Sequence, residues 1–191
     1  MKRRYVLVPI AMMVAVVFLS VGVGYALNEA DLDTLWKTKK CLSCDLSGAI
    51  LPRVNLSDAV LGSTNLSGSI LCDSNLRRAD LSGADLSYTD LSDAKLGSTD
   101  LIRANLRGAN LRRADLSCAD LSDADLSGAV LGYTDLSDAN LGSTDLSHAD
   151  LSRANLSGAD LSHANLTGTN LTGANLSGAV LTNTILEGKE R

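Results

Sequence analysis

From Leu46 to Leu186 a leucine stands at every fifth position without interruption, 29 times in a chain of 191 residues. No continuous helix or strand accommodates that period. Residues five apart in an α-helix are rotated by about 140°, so the leucines would wind around the whole helix instead of forming a stripe. In a flat strand the side chains alternate with period two, so an odd repeat sends successive leucines to opposite faces. What remains is a chain that turns once within each pentad.

The other pentad positions fit such a turn. Two residues before each leucine stands a small or compact side chain, 18 Ala, 7 Thr and 2 Ser with Cys44 and Val54. Directly before the leucine stand 12 Asp and 10 Asn among the 29. The small residue and the leucine lie two apart, so a short extended piece points both inward and the Asp or Asn between them outward. The two positions after leucine are mostly Ser, Gly, Thr, Asp and Arg, among which Gly, Ser and Asp suit tight corners. Stacked turns then give leucine layers, sampled along the chain by Leu46, Leu81, Leu116, Leu151 and Leu186. This also accounts for an aromatic content of only 3%. A narrow interior filled by one leucine and one small residue would be overpacked by Phe or Trp.

A small residue, then Asp or Asn, then Leu, then two variable residues, as in Ala79-Asp80-Leu81-Ser82-Gly83, resembles the motif of the pentapeptide-repeat family. The likeness covers about three quarters of the chain. It implies an all-β solenoid, a right-handed quadrilateral β-helix with four pentads per coil and about seven coils, in which residues 20 apart stack. At about 4.8 Å between neighbouring strands the tower would be roughly 35 Å tall.

The ends differ from the repeats. Met1-Lys2-Arg3-Arg4 is basic, and Tyr5 to Ala26 run 22 residues without a charge. With small residues at Gly24 and Ala26, this is a secretory signal whose cleavage is expected after Ala26. The competing reading is an uncleaved anchor over residues 5–26, long enough to span a bilayer, although Pro9, Gly22 and Gly24 weaken a full-length helix. Either way the remainder faces away from the cytoplasm, in a periplasm or, in a photosynthetic source, a thylakoid lumen. The signal holds three of the 17 basic residues and none of the 22 acidic ones, so the net charge goes from -5 to -8 on its removal. No membrane contact beyond this segment is expected.

The chain thus divides into a signal (1–26), a cap and CxxC segment (27–43), the repeats (44–188) and a tail (189–191). Over 28–39, Asn28 suits a helix N-cap, with Glu29, Asp31 and Asp33 early and Lys37, Lys39 and Lys40 late, the charge order that a helix dipole favours. A short capping α-helix is expected over the first coil, with Trp36 as its main apolar contact. No second helix is expected at the C-terminus, and Val180 and Ile185 replace the outward Asp or Asn. An open apolar end points to a homodimer through that end.

Candidate chemistry is sparse, and neither a catalytic constellation nor a cofactor or metal site is expected. Cys41-Leu42-Ser43-Cys44 lacks the βαβ context of a redox motif and the further ligands of a zinc site. A disulfide pinning the cap and free structural thiols both remain open. His148 and His163 pair with no nucleophile. Under the family geometry Asp45, Asn65, Asp85, Asn105, Asp125, Asp145 and Asn165 form one column, in which Asn separates like charges. The uninterrupted column Asp80, Asp100, Asp120 suits a cation or a basic partner, against the plainer reading of a solvated wall. Arg103, Arg107, Arg112 and Arg113 crowd three consecutive pentads, with Arg113 stacked beside Asp93 and cross-rung ion pairing as the plainer reading. These acidic and basic residues are the candidate interaction surface. Nucleic acid is disfavoured by the acidity and the lack of stacking aromatics.

Residues 86–101 recur as residues 131–146, identical at 14 of 16 positions and shifted by 45. Nine pentads are not a whole number of coils, so the copy would sit one wall round, which a localised active site would hardly tolerate. The expected function is an exported, non-enzymatic scaffold or protein-interaction module with an unknown protein partner. The alternative is a DNA-mimicking protein that binds gyrase, as in the quinolone-resistance members of the family. That alternative conflicts with the signal segment.

Overall fold

The computed structural model describes residues 28–185. The signal at 1–26, Leu186 and the tail at 189–191 lie outside the described residues. From Lys40 to Ile185, 26 parallel bridges each join residues 20 apart, from Lys40↔Val60 to Asn165↔Ile185. One coil therefore takes four pentads, and four walls rise as ladders of single bridges. The first wall carries Asp45, Asn65, Asp85 and their successors, the second begins at Ile50, the third at Asn55 and the fourth at Lys40.

The pentad is the unit that satisfies the backbone. Leu46 N–H donates to Asn65 O at 2.7 Å and Gly48 N–H to Ser67 O at 2.9 Å, both one coil on. Asn65 N–H donates back to Cys44 O, and Ala49 N–H closes the turn on Leu46 O at 3.1 Å. The fifth N–H, on the residue after leucine, finds no carbonyl. It donates instead to the side chain before the leucine, as Ser47 does to Asp45 Oδ1 at 3.1 Å and Ser127 to Asp125 Oδ1 at 2.8 Å. The Asp or Asn preference thus has a backbone cause, since an unpaired main-chain donor is costly. Seven pentads break the preference: after Ile50 the residue that follows the leucine is Pro52, which has no N–H to satisfy, whereas Val60, Ile70, Lys95 and Val130 offer the N–H of Gly62, Cys72, Gly97 and Gly132 no such acceptor.

The corner is left-handed. The second residue after each inward side chain, Cys41 first and leucine thereafter, has φ between 55° and 75° at all 29 positions from Ser43 to Asn183, including arginine, tyrosine and histidine positions. Only nine of these residues are glycine, so the stack imposes a conformation that costs other residues about 1–2 kcal/mol each.

The interior is a column of leucines and small residues buried from Leu46 to Leu166. Thr89, Thr99, Thr134 and Thr144 are also buried, and each hydroxyl donates to the leucine carbonyl 23 residues earlier at 2.8–2.9 Å. Burial weakens towards the C-terminus, where Leu171 and Leu176 are half-buried and Leu181 is 42% exposed.

The other end is covered by α1 (Glu29–Thr38), with Asn28 accepting from the N–H groups of Ala30 and Asp31. Asp31 Oδ2 accepts from Asp45 N–H at 2.9 Å, tying the helix to the first coil. Its deepest contact differs from expectation. Leu35 is fully buried, whereas Trp36 is only half-buried against the core edge. The tie at Asp31 fixes the roll of the helix, and the larger ring lies at the rim of an interior that is one leucine wide.

Candidate interaction surfaces

On the fourth wall Asp80, Asp100 and Asp120 stack on consecutive coils through parallel bridges. Each uses Oδ1 to cap its own turn, accepting from Ser82, Ile102 and Ser122 N–H at 3.0 Å. Asn140 closes the run by donating Nδ2 to Asp120 Oδ1 at 3.0 Å. That bond recurs wherever Asn follows Asp in a column, as with Asn65 on Asp45 and Asn105 on Asp85, both at 3.1 Å. Asn therefore does more than dilute charge, because it donates across the rung. No group of three or more His, Cys, Asp or Glu is placed to hold a metal ion among the described residues.

The arginines divide into paired and unpaired. Arg113 forms a two-pronged bond with Asp93, at 2.7 and 2.6 Å, and Arg78 does the same with Asp58, at 2.8 and 3.1 Å. These guanidiniums hold the Asp93 and Asp58 carboxyls below their ordinary range. Arg77 crosses the side-chain-free Gly97 to Asp115 at 2.5 Å. Burial would raise the Asp115 carboxyl, but the Ser117 hydroxyl and N–H together with Arg77 bring it below the ordinary value. Arg107, Arg112 and Arg153 have no carboxylate within ion-pair distance among the described residues. Arg112 and Arg153 instead lie 5.2 and 5.4 Å from the Tyr133 ring centroid. The Tyr133 cluster escaped the sequence analysis, although separations of 20 and 21 residues mark its members as neighbours on successive coils.

Cys41 and Cys44 form a disulfide, with Cα atoms 5.4 Å apart. Cys41 fills the inward position that leucine takes elsewhere, and Cys44 the small-residue position of the next pentad. Cys72 and Cys118 are free thiols, and burial together with Asp90 and Asp73 pushes the Cys72 thiol up. His148 lies on the first wall and His163 on the fourth, both exposed. A shallow, open groove of about 340 Å³ joins His148 to Arg107, Ser127, Gly128, Asp145 and Ser147. Among the described residues no helix is long and apolar enough to cross a membrane.

The profile described as pentapeptide repeats (8 copies) matches residues 41–78, 59–97, 94–132, 134–173 and 149–188. The chain belongs to the pentapeptide-repeat family. That family folds as right-handed quadrilateral β-helices and generally serves as structural or interaction modules. Among solved structures, QnrB1, a plasmid-mediated fluoroquinolone resistance protein, has a TM-score of 0.58 at 23% identity, over 78% of this chain and 80% of that one. Its likeness is one of fold. HetL, a pentapeptide repeat protein involved in heterocyst differentiation regulation in the cyanobacterium Nostoc, is 28% identical over 86% of this chain and 96% of its own, with a TM-score of 0.44. A pentapeptide repeat protein of the Arabidopsis thaliana thylakoid lumen is 36% identical over 54% of this chain and 65% of that one, with a TM-score of 0.25. Among curated proteins none matches the chain.

Proposed function

We propose that this pentapeptide-repeat chain is an exported, non-enzymatic scaffold of about seven coils, whose walls take a partner protein and whose C-terminal coil takes a second copy. The observation that carries the scaffold reading is the placement of the recurring segment. Tyr88 follows the first wall's column and Tyr133 the second's, so near-identical sequence faces two directions. A reaction centre needs its groups within hydrogen-bond reach of one another, whereas a scaffold tolerates their redistribution. The end contact is supported by Val180, Leu181 and Ile185, 45%, 42% and 57% exposed around the last coil. In an oxidising compartment the Cys41–Cys44 bond would hold the first turn beneath α1. Fractionation with intact-mass measurement tests export, since a cytoplasmic chain retaining residues 1–26 rejects it. Light scattering showing a strict monomer rejects the end contact, and capture in the native compartment tests the partner.

The Asp80, Asp100 and Asp120 column favours one second reading, a DNA mimic that binds gyrase. Protection of gyrase supercoiling from a fluoroquinolone by the purified chain would establish it, and no protection at stoichiometric excess would reject it.

A further inference from the structure

Tyr133 organises three donors on consecutive coils of the second wall. Arg112 comes from the coil before it and Arg153 from the coil after it, each guanidinium against the ring. Arg153 Nη1 donates to Tyr133 Oη at 2.6 Å, which leaves the hydroxyl hydrogen free. Gly132 beside the ring has no side chain, and a Cβ there would lie 3.6 Å from Arg112 Nη1, so the arginine rests along the wall. A guanidinium stacked on an aromatic ring keeps its in-plane N–H edge available and loses little freedom on binding a carboxylate. Asp150, on the rung of Arg153, accepts from Ser152 N–H and Asn170 Nδ2 through Oδ1 and feels the Arg112 charge, but neither arginine forms an ion pair with it among the described residues.

The fourth wall, two pentads round the coil and so opposite, carries the complement. Asp80, Asp100 and Asp120 stand on three consecutive coils with Oδ1 turned to the backbone. Their Oδ2 atoms accept no hydrogen bond among the described residues. Arg103, the nearby cation, leans towards Asp123 at 3.9 Å.

We propose that Arg112, Tyr133 and Arg153 on one tower dock onto Asp80, Asp100 and Asp120 on the opposite wall of a second copy, side by side. Two copies share one rung spacing, about 4.8 Å, so three donors and three acceptors on consecutive coils come into register over about 10 Å with no adjustment of either backbone. The outer guanidiniums meet the outer carboxylates, and the free Tyr133 hydroxyl meets Asp100. The two surfaces lie on opposite walls, so the contact is head-to-tail in the lateral sense and leaves both free surfaces exposed for further copies. It goes beyond the end contact proposed above and uses none of its residues. Exposed ion pairs are individually weak, so the association is of low affinity and governed by salt.

Sedimentation of the mature chain, purified from its own compartment, tests this at ionic strengths of about 0.01 M and 1 M, where the Debye length is about 30 and 3 Å. The mass is expected to rise with concentration at the lower salt and to fall back at the higher. R112E/R153D and D80K/D100K/D120K should each show at least tenfold weaker association alone, and an equimolar mixture should restore it, because each supplies the charge that the other lacks. Lys95 already occupies the position of these aspartates. D80N/D100N/D120N, which keeps the turn caps, serves as the neutral variant should the lysines disturb folding, and it should also lose association. No salt-dependent association by the wild-type chain overturns the proposal. So does association that survives R112E/R153D, or a mixture of folded variants that stays apart. Capture of another acidic protein at Arg112 and Arg153 without self-association also overturns it.

Discussion

At the small-residue position the interior distinguishes threonine from serine. Thr99 Oγ1 reaches Leu76 O at 2.9 Å, while Ser69 and Ser74 are equally buried and their hydroxyls have no partner. A buried unpaired hydroxyl costs about 1–3 kcal/mol. Ser74→Ala, which installs the residue most pentads use, should therefore stabilise the chain by about 1 kcal/mol, and Thr99→Ala should destabilise it by a similar amount. Urea unfolding of the two variants checks the opposite signs, and a loss of stability in Ser74→Ala would refute the orphan assignment. The aspartates give a second effect at this scale. Asp93 and Asp58, held by arginine, and Asp150, held first by the Ser152 hydroxyl, lie below the ordinary carboxyl value of 3.8. The unfolded chain thus binds more protons in acid. Their stabilisation is complete above the unfolded value and is lost as pH falls through the lower folded values. Stability should stay level from neutral pH to about 5 and decline below about 4. Asp93→Asn should flatten that decline, which denaturation at stepped pH measures.

At the scale of the element, α1 shows what a sequence reveals about a helix and what it withholds. Asn28, the acidic start and the lysine-rich end specify the helix and its direction. The stripe of Leu32, Leu35 and Trp36 specifies a buried side, but not which member goes deepest. That is set by the bond from Asp45 N–H to Asp31, 14 residues distant, and by an interior one leucine wide. Leu35→Ala should accordingly cost about 2–5 kcal/mol, as truncation of a buried leucine does. Trp36→Ala should cost less, in spite of the larger side chain. Melting of the two variants decides between them, and the reverse order would restore Trp36 as the principal contact. The pentad was more legible than the cap, since its period alone excluded helix and flat strand and turned every leucine inward. The function of Asp and Asn was legible only as a surface preference, because the N–H that lacks a carbonyl becomes visible once the other four in the pentad are assigned.

Across the whole molecule, interior and walls obey different periods, and this separates what holds the tower together from what gives each wall its identity. The interior repeats every five residues, so any pentad fits above any other. The wall contacts repeat every 20, as Arg113 on Asp93, Arg153 on Tyr133 and Asn105 on Asp85 demonstrate. Within the chain, the segment displaced by 45 residues kept the first period and broke the second. Deletions can impose the same choice. Removing residues 87–106 takes out one coil, keeps every column aligned and sets Arg113 above Asp73, another aspartate of the same column. Removing residues 97–101 keeps every leucine inward but turns the upper tower by one wall. Arg113 then sits above Tyr88, and Arg77 and Asp115 occupy different walls. Both deletions should fold with an unchanged far-ultraviolet spectrum per residue, because nearest-neighbour stacking suffices in a solenoid. The two towers differ in length, and a solenoid's stability grows with its stacked repeats, so the wall contribution is read within each: Arg113→Ala should cost about 0.2–1 kcal/mol in the 20-residue deletion, where an aspartate lies beneath it, and less in the five-residue one. Urea unfolding of each deletion with and without the substitution provides the comparison. No cost of Arg113→Ala in either would mean that the wall columns contribute nothing to the fold and are free to serve recognition alone.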